Sequence, residues 1–67
     1  MSELRITGSY NAGYGFVAIT PATRPTLAAA RRHVTALLMA GYRDLDVEVV
    51  DPVGEVVAYY TSGEGWA

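Results

Sequence analysis

Between Leu4 and Tyr10 the chain alternates, with Leu4, Ile6 and, past Gly8, Tyr10 on one side and Arg5, Thr7 and Ser9 on the other. A period of two with one polar face predicts a half-buried strand. Asn11-Ala12-Gly13 follows, and Gly13 can take the positive φ that a short hairpin loop needs. A second strand is expected from about Tyr14 to Thr20, apolar on both faces. It should stop at Pro21, which has no N–H to give a ladder. The period then changes. Leu27, Ala30, Val34, Leu37, Leu38 and Gly41 fall on one stripe at helical spacing, with Ala28, Arg32, Thr35 and Met39 opposite. This predicts a helix over about 26–40, capped by Thr23 or Thr26 and ended by Gly41 in a left-handed conformation.

Past the helix the period returns to two. Leu45, Val47 and Val49 alternate with Asp44, Asp46 and Glu48, which predicts a third strand with one acidic face. Asp51-Pro52-Val53-Gly54 has the residues of a turn. Glu55 to Thr61 makes a fourth strand, apolar on both faces, and 62–67 is expected as a loose tail. The reading is a single domain over 1–67, with a hairpin at about 4–20, the helix, and a hairpin at about 44–61. The fold class is α+β, in the order β-β-α-β-β. One helix packs on one face of a four-stranded antiparallel sheet. Strand order 2-1-3-4 is the first choice and 2-1-4-3 the alternative.

Composition sharpens this picture. Sixty-seven residues with no cysteine allow neither a disulfide nor a thiolate metal site. A small chain must then rely on tight packing or on oligomerisation. Apolar residues make up 51% of the chain, high for a small monomer, and this favours a second buried surface and a homodimer. No apolar run approaches the roughly 20 residues that span a membrane. The first residues lack the basic start and apolar core of a secretion signal. No membrane partner and a cytoplasmic location are expected.

Charge is unevenly placed. Residues 1–33 hold Arg5, Arg24, Arg31 and Arg32 against Glu3. Residues 34–67 hold Arg43 against Asp44, Asp46, Glu48, Asp51, Glu55 and Glu64. All five basic residues are arginine, and Ala, Gly and Val are abundant. In this the chain is similar in style to small proteins of actinobacteria and their phages, which would make its setting a host cytoplasm.

Helix packing on one sheet face leaves Tyr14 and Phe16 on the other, joined by Tyr59 or Tyr60. An exposed apolar patch on a sheet marks a contact site. The octamer Ala12-Gly13-Tyr14-Gly15-Phe16-Val17-Ala18-Ile19 resembles the RNP1 motif of RNA recognition motifs, which runs basic-Gly-aromatic-Gly/Ala-Phe-Val-any-aromatic. The resemblance covers about residues 3–50 as the second half of such a domain. It implies that Tyr14 and Phe16 stack on unpaired bases. Ala12 replaces the basic residue of that motif and Ile19 its last aromatic. The half-domain that would carry the partner motif is absent, and the late strands are acidic where phosphate calls for cations.

Catalytic chemistry finds little support. Asp44, Asp46 and Glu48 at alternate positions would share one strand face, an arrangement more often solvated than metal-binding. His33 is the only histidine, with no carboxylate three or four residues away to orient it. Gly13-Tyr14-Gly15 opens a strand, so it is not a dinucleotide fingerprint. No catalytic residue, cofactor or metal is assigned. The residues expected to meet a partner are Tyr14, Phe16, Tyr59 and Tyr60, with Arg24, Arg31 and Arg32 as a basic patch. The expected function is a small non-enzymatic interaction protein that self-associates and binds another protein, one concrete version being a phage accessory protein acting on a host factor. The alternative is a single-stranded nucleic-acid binder.

Overall fold

The computed structural model describes residues 3–67. Its elements are β1 (Leu4–Asn11), β2 (Phe16–Ala18), β3 (Ala22–Arg24), α1 (Leu27–Met39), β4 (Arg43–Val50), β5 (Val56–Thr61) and β6 (Gly65–Trp66). They form an α+β fold with one helix and a six-stranded antiparallel sheet. The order is β2-β1-β4-β5-β6, with β3 also paired to β1. Among the four long predicted segments this is the 2-1-3-4 arrangement.

The strand count corrects the expectation of four in two places. The second segment is not one strand from Tyr14 to Thr20. Tyr14 lies in the hairpin loop, pairing begins at Phe16, and Pro21 does not end it. Ser9 faces Ala18 while Ile6 faces Ala22, so one extra residue bulges out between β2 and β3. The bulge places Pro21 where no ladder N–H is required, and the chain returns to β1 beyond it. The second correction is at 62–67, expected as a loose tail. Ser62–Glu64 turns back, Tyr60 pairs Trp66, and Thr61 pairs Gly65. Tyr59 and Ala67 exchange both backbone hydrogen bonds, at 2.8 and 3.2 Å.

Helix α1 has both expected caps. Thr26, extended at φ −137°, accepts from the Ala29 N–H at 3.1 Å. At the other end Gly41 takes φ +99°, its N–H donates to Leu38 O, and the Tyr42 N–H donates to Leu37 O. This pair of bonds is a Schellman motif, and it needs a residue that tolerates left-handed φ at position 41. The β4–β5 turn is closed by the backbone bonds Asp51 N–H to Glu55 O and Gly54 N–H to Asp51 O, and by one side chain. Asp51 Oδ1 accepts from Val53 N at 3.1 Å and Glu55 N at 2.9 Å.

Directly opposed residues of an antiparallel pair share a face. On the helix side stand Ile6, Val47, Val49, Leu45, Ile19 and Ala58, and with Ala30 and Val34 of α1 they form the buried core. Leu4, Tyr10, Leu27, Leu37, Leu38, Tyr42, Tyr60 and Trp66 pack around it. Gly8 sits at the tightest point, where a Cβ would lie 2.0 Å from the Asp46 carbonyl oxygen. No helix among the described residues is long and apolar enough to cross a membrane.

Candidate interaction surface

The sheet face away from the helix is mostly polar, with Phe16 and Tyr59 as its aromatic residues. By register it carries Arg5, Thr7, Ser9 and Asn11 from β1, Asp46 and Glu48 from β4, and Tyr59 and Thr61 from β5. Tyr59 stands opposite Glu48, and hydrogen bonding to Asp46 holds its phenol above the ordinary pKa of 10.0. Tyr60, one position on, points to the helix side and packs on Trp66 with ring centroids 5.2 Å apart. Of Tyr59 and Tyr60, one of which is expected from the sequence to join Tyr14 and Phe16, Tyr59 lies on the outer face and Tyr60 at the core margin, while Tyr14 stands at a loop tip.

Tyr14 and Phe16 lie at the end of the β1–β2 hairpin. Its four-residue loop is closed by Ala12 N–H to Gly15 O at 2.9 Å, and Asn11 Oδ1 accepts from Gly13 N at 2.8 Å. Gly13, at φ +95°, permits that turn. Tyr14 at its tip is 86% exposed, and Phe16, at the start of β2 on the outer face, is 66% exposed. Phe16 lines a shallow cleft of about 280 Å³ with Asp44, Leu45, Asp46, Thr61 and Ser62. Two carboxylates beside the ring make this corner repel phosphate.

Asp44, Asp46 and Glu48 do not form one row. Ser9 faces Asp46 but Asn11 faces Arg43, so β4 carries an extra residue there. Asp44 takes φ +49°, tolerable for aspartate, and its Oδ2 accepts from Asn11 Nδ2 at 3.0 Å. Among the described residues no three His, Asp or Glu side chains converge as metal ligands.

The three arginines are also separated. Arg24, on β3, donates from Nη1 to Thr23 O at 2.6 Å and lies 3.2 Å from His33 Nδ1 through Nη2. Arg31 reaches toward the other flank of the helix and covers Trp66 of β6. Arg32 is exposed on the helix. His33 is half-buried, and its pKa is lowered below 6.5 by burial first and by the Arg24 charge second.

Two features lie outside the predicted site residues. The first is the open edge of β5. Beside Thr61 and Tyr60 that edge is covered by β6, but among the described residues no strand covers Val56–Ala58. Val53 is 82% exposed, Val56 53% and Val57 45%. A bulge sits at this point, since Val50 faces Val56 while Val49 faces Ala58. The signal in the sequence is the apolar character of both faces of the fourth strand. The second is a cleft of about 390 Å³ where the helix end meets the first hairpin, walled by Tyr10 and Tyr42 at 4.5 Å and by Arg43. No family model, curated protein or solved structure matches this chain, so its own exposed surfaces are what bear on its function.

Proposed function

We propose that this chain is a small interaction protein that acts by binding and not by catalysis, with one edge of its sheet for self-association and the first hairpin for another protein. The observation that carries the reading is the β5 edge, where three exposed valines border a strand whose side away from β4 is uncovered at Val56–Ala58 among the described residues. An uncovered strand edge is a template for a further strand. A second copy offers the same segment, and antiparallel pairing of β5 with β5 about a two-fold axis closes on itself without extending further.

Tyr14 and Phe16 sit away from this edge, at the end of the hairpin, and supply apolar contact area for a different partner. The carboxylates of Asp44 and Asp46 beside Phe16 favour a protein surface over a nucleic-acid backbone.

The test is sedimentation velocity at high micromolar concentration, with Val57→Lys as the comparison. The expected result is a dimer for the natural chain and a monomer of unchanged circular dichroism for the variant. A natural chain that stays monomeric sinks self-association. Addition of a mixed-sequence RNA oligonucleotide at low salt is expected to leave the boundary unmoved. A shift that Tyr14→Ala abolishes would establish the nucleic-acid reading instead.

A further inference from the structure

The contact between Arg24 and His33 carries an inference beyond binding. Arg24 belongs to β3, three residues long, paired on one side to Leu4–Ile6 of β1. Its Nη2 lies 3.2 Å from Nδ1 of His33, in the second turn of the helix. A guanidinium has only donors and does not lose its proton in proteins. At this distance Nδ1 must therefore supply the lone pair, so the imidazole is neutral with its hydrogen on Nε2. Protonating Nδ1 removes the acceptor and sets two cations against each other.

The surroundings offer no relief. On the helix, His33 is flanked in sequence by Arg32 and Arg31. On β1, Arg5 faces Thr23 and Val50 on the outer sheet face, with Glu3 just before the strand. On β4, Asp46 and Glu48 lie on that same outer face, and Asp44 is held by Asn11 at the far bulge. Burial first and the Arg24 charge second disfavour the protonated ring.

We infer that Arg24 and His33 form an acid-released latch, in which protonation of His33 frees Arg24 and loosens β3 from the helix. The device would make one margin of the sheet responsive to mildly acid conditions, independently of the β5 edge.

The test follows the single histidine by NMR and the β3 amides by hydrogen exchange in the full chain, from about pH 7.5 to about pH 5, which brackets the ordinary histidine range. His33 is expected to titrate below 6.5. Arg24→Met, which keeps length but removes charge and donors, should move the midpoint upward. Protection of the β3 amides, corrected for intrinsic rate, should fall with pH in the natural chain. It should hold in His33→Gln, whose amide oxygen accepts from Arg24 and takes no proton. A midpoint at or above 6.5 that Arg24→Met does not move overturns the latch. So does a shifted midpoint with β3 protection unchanged by pH, because the ring would then titrate without releasing the strand. The natural-chain titration stands even where a variant fails to fold.

Discussion

The guanidinium carbon of Arg31 lies 5.3 Å from the ring centroid of Trp66, which joins the helix to the last strand. Trp66 also packs on Tyr60 and borders the core. An arginine over an indole contributes about 0.5–1 kcal/mol at a partly exposed site. Truncating the whole indole also removes its aromatic contact and buried area. Trp66→Ala is therefore expected to cost about 2 kcal/mol and Arg31→Ala less than about 1 kcal/mol. Urea unfolding followed by circular dichroism checks both. Equal losses would mean that Trp66 contributes only through the cation.

Gly8 of β1 faces Val47 of β4. A Cβ there would stand 2.0 Å from Asp46 O and 2.8 Å from Val47 Cα, both backbone atoms that cannot swing away. Gly8→Ala must displace β1 from β4, and a loss of about 3 kcal/mol or more is expected, at or above the usual overpacking range. Gly13 has open space around its Cα but φ +95°, so Gly13→Ala should cost only about 1–2 kcal/mol of backbone strain. Thermal unfolding of the two variants gives the ranking.

Asp51 closes the β4–β5 turn by accepting two backbone N–H groups on one oxygen. Asp51→Ala leaves both donors to water and is expected to cost about 1–2 kcal/mol. Asp51→Asn keeps a side-chain oxygen and should recover most of that loss. The midpoint of urea unfolding distinguishes the two, and Val53 and Glu55 amide exchange locates the effect.

His33 gives stability an acid limb. Its folded pKa lies below the ordinary 6.5, so between those values the unfolded chain binds the proton and the folded chain does not. The contribution is complete above pH 6.5, falls as pH drops through the folded pKa, and changes no further below it. His33→Gln should flatten the difference in urea midpoint over this window relative to the natural chain. Parallel curves for the two proteins would show that the ring is equally basic in both states.

Much of the architecture follows from short-range physics. The helical stripe, the hydroxyl of Thr26 and the flexibility of Gly41 mark α1 to within a residue, because capping and periodicity are local. The Asp51 turn and the alternation of Leu45, Val47 and Val49 are legible for the same reason. The bulges were not. Whether Ala18 and Ala22 are separated by an extra residue depends on what β1 presents to each, and no local pattern states it. Asp44 looked like one of three aligned carboxylates until Asn11 and the register of β1 turned it aside. Gly65-Trp66 reads as tail chemistry, since two residues have no period. They become a strand because β5 offers an edge and because Tyr60 and Arg31 hold the indole.

The sequence by itself determined the α+β class, the single helix with its caps, the turn residues and the antiparallel segments. Each of these depends on interactions within about a turn or a hairpin, which the residue types encode directly. Only the tertiary structure decided which of Tyr59 and Tyr60 meets the core, that Arg24 and Arg31 serve opposite flanks of the helix, and that the valines of β5 border an open edge. Those outcomes turn on register, where a shift of one residue exchanges every inward side chain for an outward one.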